Sequence, residues 1–237
     1  MVRRRKNTAK RMNNRVKKLQ GRFAFYANYL DSNNIFSGPS VYFHKKAIEF
    51  IRDNGLEAAL GDNSFFEYLY ATLASWGLHR MGKTKTKLVD FEEFKGSIKR
   101  QKDQLLELKG KRISNMKNKA SREEITIKLA ELINSLKVGR GETKLIYNSK
   151  TLHHLLPNLM PPIDTQYTLQ FFYYRKRPSH IDNRFQEIYP KFVEIAVSNK
   201  KYIRRKVEKC WRTGVGFHTS ETKVIDNAIV GFIKTQP

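Results

Sequence analysis

The sequence predicts an all-α protein, because helical spacing of apolar residues, helix-starting residues and helix-ending glycines recur along the chain. Phe66, Leu69, Tyr70, Leu73 and Ala74 illustrate the spacing. Separations of three, four, seven and eight residues place these side chains on one helix face, which we expect to point into a core. Alternation of the kind that strands show is scarce, and no internal repeat is visible.

Local signals indicate where the other helices begin and end. Asn54-Gly55 ends the first of them, and Ser121 and Glu124 have the spacing of a capping box that opens a later one. Pro161-Pro162 forms an extended segment that leads into a helix at Thr165. The predicted helices cover residues 41–52, 63–76, 90–98, 121–136, a stretch that ends near 156, a short stretch from 165, a long helix from 188 or 191 to 211, and 221–234.

The charge of the chain indicates the class of its partner. The 237 residues include 46 Lys and Arg against 22 Asp and Glu, which gives a formal net charge of +24. Such a field attracts polyanions, so nucleic acid is the first partner that we expect. A hydrophobic content of 40% is enough to bury a core and argues against a disordered chain.

Residues 1–24 are predicted to form a basic N-terminal arm that precedes a helical domain over residues 25–237. The first acidic residue is Asp31. A block of like charges repels itself when free, so we interpret it as an arm that follows nucleic-acid phosphates, with a solvated tail or a targeting sequence as the alternative. Its cations are Arg3, Arg4, Arg5, Lys6, Lys10, Arg11, Arg15, Lys17, Lys18 and Arg22.

Several classes of protein are disfavoured by what the sequence lacks. Cys210 is the only cysteine, which argues against internal disulfides, a multi-cysteine zinc site and an iron–sulfur cluster. His153 and His154 are adjacent and diverge by about 100° on a helix, so they do not chelate one metal together. No apolar run reaches the length of a membrane span. We therefore expect an intracellular monomer with no metal, no cofactor and no membrane partner.

A glycine-interrupted turn is the strongest local motif. Residues 138–144 read Val-Gly-Arg-Gly-Glu-Thr-Lys and connect two predicted helices, and Asp164 follows twenty residues after Lys144. Backbone N–H groups at such a turn can bind a DNA phosphate without regard to the base, although glycines between helices are often a plain connection.

Residues 138–164 resemble the centre of the helix-hairpin-helix DNA glycosylase superfamily, in particular its archaeal 8-oxoguanine glycosylase branch. That family places a hairpin, a lysine and a Pro-x-x-Asp-type segment in this order. The stretch 225–229 is similar to the family's closing helix and the stretch 64–76 to an N-terminal core helix. The resemblance implies two helical lobes with a helix-hairpin-helix element and a central cleft. The hairpin departs from the common Leu-Pro-Gly-Val-Gly pattern.

The resemblance also implies a chemistry. It assigns Lys144 as a nucleophile for C1′ of the sugar and Asp164 as the carboxylate that stabilises positive charge there. Lys150 becomes the nucleophile if the helix register differs. From the residues alone, Lys144 could equally be an exposed phosphate-binding lysine, and Asp164 could be only a helix cap.

The remaining candidates are contacts rather than reacting groups. Trp76 and His79 follow a core helix and could face an extruded base, although Trp76 could also be core. The cations of residues 200–212 could grip the DNA backbone or form a solvated face. The predicted DNA contacts are Gly139, Arg140, Gly141, Arg80, Lys201, Arg204 and Arg205.

These features together favour a DNA repair glycosylase, with or without lyase activity, that flips and excises a damaged base such as 8-oxoguanine from duplex DNA. The alternative is a non-catalytic protein that binds structured RNA on the ribosome, because a charge of +24 suits ribosomal RNA equally well. The fragment Glu93-Phe94-Lys95 matches part of a nuclease signature, but it lies in a predicted helix rather than on a strand.

Overall fold

The computed structural model describes residues 2–33, 38–79, 87–141, 143–174 and 184–236. Within these ranges the chain is all-α, as predicted. It forms no strand there, and its one isolated β-bridge joins Leu88 to Gly139. The helices are α1 (Val2–Gly21), α2 (Phe23–Asn33), α3 (Pro39–Gly61), α4 (Asn63–Leu73), α5 (Phe91–Lys99), α6 (Lys102–Glu107), α7 (Lys119–Ser135), α8 (Lys144–Leu155), α9 (Thr168–Tyr173), α10 (Phe185–Ser198), α11 (Lys200–Thr213) and α12 (Glu221–Lys234).

Several predicted helices have the expected bounds, and four differ for local reasons. Helix α3 does not end at Asn54-Gly55 but continues to Gly61, with a kink at Gly55, where φ is +81°. Helix α7 begins earlier because Asn118, not Ser121, is its cap and accepts hydrogen bonds from the amides of Ala120 and Ser121. The predicted helix over 188–211 is two helices that meet at Asn199, where the backbone leaves the helical region. The helix expected at Thr165 begins at residue 168.

The predicted N-terminal arm is a helix that packs on the body of the protein. Met12, Val16 and Leu19 share one face of α1 and are buried, because they recur at helical spacing between the cations. Arg15 donates to the carbonyl oxygens of Gln170 and Phe171 at 2.7 and 3.0 Å and so caps the end of α9. The cations from Lys10 onwards therefore lie on a structured helix rather than on a free tail.

Helix α12 lies at the centre of the fold. It contacts α2, α9, α10 and α11, and all its residues from Glu221 to Phe232 are buried. Buried apolar residues from α1 through α12 join in one connected cluster. The division into two lobes around a cleft stays a prediction. No helix in the described part of the chain is long and apolar enough to cross a membrane.

Helices α2 and α12 pack so closely that only glycine fits at position 231. A Cβ atom there would lie 2.1 Å from the carbonyl oxygen of Tyr26. We expect Gly231→Ala to force the helices apart and to lower the free energy of unfolding by about 3 kcal/mol or more, as overpacked cores do. Gly61→Ala is the matched control, because a Cβ there meets no atom within 4 Å. Urea unfolding that shows equal stability for the two variants would contradict this packing.

Candidate active site

A cavity of about 470 Å³ opens between four parts of the fold. Its walls come from the π-helical turn Ala74–Leu78, from α8, from the segment at residues 162–167, and from α12, and Ser40, Lys87 and Phe217 complete the lining. Three lysines and two aspartates line it, which makes its net charge +1 when all are ionised. These are Lys87, Lys150, Lys223, Asp164 and Asp226.

Lys150 projects from the middle of α8 into this cavity. Its Nζ donates to the carbonyl oxygen of Trp76 at 3.1 Å, where the backbone of Trp76 and Gly77 leaves the helical region. Burial of the amine lowers the pKa of Lys150; Asp164 and Asp226 oppose this shift, and neighbouring lysines add to it. The cavity therefore favours a neutral amine more than water does.

Asp164 uses one of its carboxylate oxygens as a helix cap. Oδ1 accepts the backbone N–H groups of Tyr167 at 2.6 Å and Thr168 at 3.2 Å, so the capping role considered from the sequence is present. Oδ2 accepts no hydrogen bond from the described residues. Because Asp164 also lines the cavity, its second oxygen is available to a ligand there.

Lys223 and Asp226 form a buried ion pair on the α12 wall. The Lys223 Nζ donates to Asp226 Oδ2 at 2.5 Å. Burial raises the pKa of Asp226, while Lys223 opposes the shift. Neither residue was predicted as a site residue. The signal that could have identified them is a charged i, i+3 pair within an otherwise apolar helix, since charges are buried mainly when paired.

Trp76 forms an aromatic wall of the cavity and is only partly buried. Its Nε1 donates to the carbonyl oxygen of Ser40 at 3.2 Å, which fixes the indole plane. The ring of His44 stacks on the indole with centroids 5.2 Å apart. The expectation that Trp76 faces a cavity is therefore compatible with the structure, whereas its contact with a base stays a prediction.

Three buried histidines, His44, His153 and His154, pack against the Trp76 ring. His154 donates from Nδ1 to the carbonyl oxygen of Lys150, which leaves its Nε2 to accept from His44 Nδ1 at 2.9 Å. His44 Nε2 then accepts from the Thr219 hydroxyl at 2.6 Å. This chain is complete only when both imidazoles are neutral. Burial holds the pKa of His44 and His153 well below the ordinary value and lowers that of His154 to about 4.

The histidine cluster makes stability dependent on pH. The folded protein keeps His154 neutral down to about pH 4, whereas the unfolded chain binds a proton near pH 6.5. The free energy of unfolding therefore has its full value above pH 6.5 and decreases as the pH falls towards 4. His154 alone lowers it by about 2 kcal/mol at pH 5. We expect His154→Gln to lower stability at pH 7 and to flatten the loss between pH 7 and 5 in urea unfolding. The exposed His79→Gln is the control; equal pH profiles for wild type and His154→Gln would refute this account.

Lys144 does not line this cavity. It is the first residue of α8, and the six residues that separate it from Lys150 turn the helix by about 240°, so the two side chains leave different faces. Its exposed Nζ donates to the carbonyl oxygen of Asn134 at 3.0 Å. The structure thus joins Lys150, the alternative lysine, with Asp164 and does not bring Lys144 to them.

Gly139, Arg140 and Gly141 belong to the connection between α7 and α8, and with Lys144 they line a second cavity of about 380 Å³. Both glycines lie against the ring of Tyr147, where added Cβ atoms would come within 2.7 and 2.3 Å of it. Arg140 pairs with Asp90 at 3.0 Å on the surface. A turn between helices is present as expected; phosphate binding by it stays a prediction.

The other residues predicted to contact DNA or the base differ in their exposure and in their partners. Lys201 and Arg205 are exposed on α11, whereas Arg204 forms an ion pair with the buried Glu221. His79 is exposed, bonds the carbonyl oxygen of Ala74 and does not line the cavity. Arg80 lies outside the described residues. Among the residues that the structure describes, no group of three potential metal ligands converges.

Comparisons with known proteins give no relative: no protein-family model, curated protein or solved structure matches this chain.

Proposed function

We propose that this protein is a DNA glycosylase of the helix-hairpin-helix type, acting as an intracellular monomer that flips a damaged base out of duplex DNA and excises it. Oxidised guanine such as 8-oxoguanine is the first substrate to test. The observation that carries the proposal is the lysine Lys150, whose pKa is lowered in a cavity that it shares with Asp164. The reaction needs an amine that loses its proton more readily than an ordinary lysine does, together with a carboxylate in the same cavity.

In the proposed reaction Lys150 is the nucleophile. Its lone pair attacks C1′ of the extruded nucleotide, a C–N bond forms, and the glycosidic bond breaks as the base leaves with the bonding electrons. The amine then carries a positive charge and loses a proton as the sugar ring opens to a Schiff base. Elimination from this Schiff base cleaves the strand, which would give the enzyme lyase activity.

Asp164 is proposed to stabilise the positive charge that develops on the sugar as the base departs. Its Oδ1 is held by the amides of Tyr167 and Thr168, so the carboxylate keeps a fixed position, and its Oδ2 is free of hydrogen bonds to the described residues. A charge that is fixed before the reaction costs no reorganisation in the transition state.

The cavity also suits a flipped base. Its volume of about 470 Å³ lies within the range of small-molecule sites. Trp76 offers an aromatic surface for stacking, and the net positive charge of the lining attracts the nucleotide phosphate. We propose that the α7–α8 connection with Arg140 and Lys144, together with the exposed cations of α1 and α11, holds the DNA backbone.

A lesion panel tests the proposal directly. Duplexes that each carry one oxidised, deaminated or alkylated base are incubated with the protein, and base release is compared with that from an undamaged duplex of the same sequence. We expect release from at least one lesion and none from the undamaged control. Tight binding without release from any lesion would overturn the proposal.

Competition with RNA separates this function from the alternative. The charge of +24 suits structured RNA as well as DNA. We expect a lesion-bearing duplex to displace a structured ribosomal RNA fragment of equal charge at matched salt. Preference for the RNA, with no effect of a lesion on DNA affinity, would favour the non-catalytic RNA-binding protein.

A further inference from the structure

Outside the cavity, two arginines converge on a buried glutamate. The side chain of Glu221 is fully buried, and its Oε1 accepts from Arg112 Nε at 2.8 Å and from Arg204 Nε at 3.2 Å. Its Oε2 accepts from the backbone N–H of Ser114 at 3.3 Å. Both carboxylate oxygens are thus satisfied from inside the protein, and the Nε edge of each guanidinium points inward.

Both arginine side chains are partly exposed on the side away from Glu221. The side chains of Arg112 and Arg204 are 38% and 39% exposed. Asn115 Oδ1 accepts from Arg204 Nη2 at 2.8 Å and from Lys200 Nζ at 2.9 Å, which draws a third cation to the same place. The Nη groups of Arg112 make no hydrogen bond to the described residues.

The cluster carries more positive charge than its glutamate requires. One arginine would neutralise Glu221, so three cations against one carboxylate leave a surplus of two charges. Like charges held this close repel one another unless an anion approaches from outside. Lys200 is also the first residue of α11, whose cap residue Asn199 makes no capping hydrogen bond, so the positive end of the helix dipole adds to the field.

We propose that Arg112, Lys200 and Arg204 form a binding site for a phosphate group, with Glu221 as the residue that positions the two guanidinium groups. Planar guanidinium groups with fixed orientation match phosphate oxygens, and the ammonium of Lys200 adds a point charge. The phosphate is accepted at the Nη groups of Arg112 and at Nη1 of Arg204. Glu221 holds both Nε groups, and Asn115 and Ser114 hold Arg204 Nη2.

The expected occupant is a phosphodiester of a nucleic-acid strand. Lys201 and Arg205 are exposed one residue further along α11, so neighbouring phosphates of the same strand would meet further cations. The choice of this occupant rests on the proposed function, whereas phosphate recognition by the cluster does not.

Removal of one arginine at a time tests the site. In Arg112→Met and in Arg204→Met, the other arginine still pairs with Glu221, so neither variant leaves a buried charge alone. We expect each to weaken binding of an undamaged duplex about tenfold and to flatten the slope of log K against log salt by about 0.9. Lys102→Met, which removes an exposed charge from α6, is the control and should leave the slope almost unchanged.

Glu221→Gln separates positioning from net charge. This variant makes the protein more positive, so a purely electrostatic effect would strengthen duplex binding. If Glu221 orients the guanidinium groups, binding weakens instead, because a neutral amide oxygen holds the two Nε–H groups less strongly than Oε1 of the carboxylate does, and the amide NH2 cannot accept the Ser114 N–H as Oε2 does. Tighter binding by a folded Glu221→Gln protein would contradict the positioning role.

Titration with inorganic phosphate shows whether the site accepts free phosphate as well as a phosphodiester of a nucleic-acid strand. The Nε–H resonances of Arg112 and Arg204 are followed by NMR during titration with phosphate and, separately, with duplex. Shifts with duplex alone indicate a strand phosphodiester, and shifts with both indicate that free phosphate is accepted as well; either result supports the site. Unshifted resonances together with unchanged salt slopes overturn it. Because no lesion is used, the outcome is independent of whether the protein excises a base.

Discussion

Borohydride is expected to trap a covalent complex between wild-type protein and a lesion-bearing strand, and Lys150→Gln is expected to abolish that complex completely. The physical reason is that the trapped species is the reduced Schiff base between Lys150 Nζ and C1′. A glutamine amide does not attack C1′, although it can still donate a hydrogen bond towards the carbonyl oxygen of Trp76. Denaturing gels report the complex, and thermal unfolding reports whether the variant is folded.

Lys144→Gln is the matched control, since it removes a lysine from the same helix without changing the cavity. It should trap as wild type does, with DNA affinity lowered only by the loss of one surface charge. Trapping that survives in Lys150→Gln but disappears in Lys144→Gln would mean that the first lysine chosen from the sequence is the nucleophile. Trapping in both would point to Lys87 or Lys223, the other amines of the cavity.

The rate of borohydride trapping should depend on pH in the same way as the deprotonation of the Lys150 amine. Burial lowers the pKa of Lys150, so the neutral form becomes abundant at a lower pH than for a lysine in water. We therefore expect the rate to rise with pH up to this lowered pKa and then to level off. A rate that rises in parallel with the titration of an ordinary lysine would argue against a buried nucleophile.

Helix positions were predictable wherever local signals and tertiary packing agree. The start of α12 follows from Ser220, whose hydroxyl accepts the amide of Lys223, and from the apolar spacing that continues to Phe232. Helices α1 and α2 were not predicted. Among the α1 side chains that the structure describes, from Thr8 onwards, Met12, Val16 and Leu19 form the buried apolar face, and the surrounding cations obscure that signal in the sequence.

The site was predictable as a set of residue types but not as an arrangement. The sequence shows two lysines before Asp164, and the choice between them depends on which face of α8 turns towards α12. That rotation is set by packing across the whole core, so the order of residues does not reveal it. The same holds for Lys223 and Asp226, whose importance comes from a cavity that four distant segments of the chain build together.

Asp164→Asn is expected to lower base excision by a factor of about one hundred or more while leaving folding and DNA affinity almost intact. An asparagine oxygen can still accept the amides of Tyr167 and Thr168, so the turn into α9 keeps its cap. The amide lacks the negative charge that stabilises the developing positive charge of the sugar. Loss of one fixed charge at a reacting centre costs on the order of 3 kcal/mol, which corresponds to this factor.

Single-turnover excision and thermal unfolding of the same preparations separate the two roles of this carboxylate. Asp164→Ala removes both the cap and the charge, so it should match Asp164→Asn in activity but unfold at a lower temperature. Equal losses of activity and of melting temperature in Asp164→Asn would leave capping as the only role. Wild-type activity in Asp164→Asn would remove Asp164 from the mechanism, and Lys150 would then act without a carboxylate partner or with Asp226, which faces the same cavity.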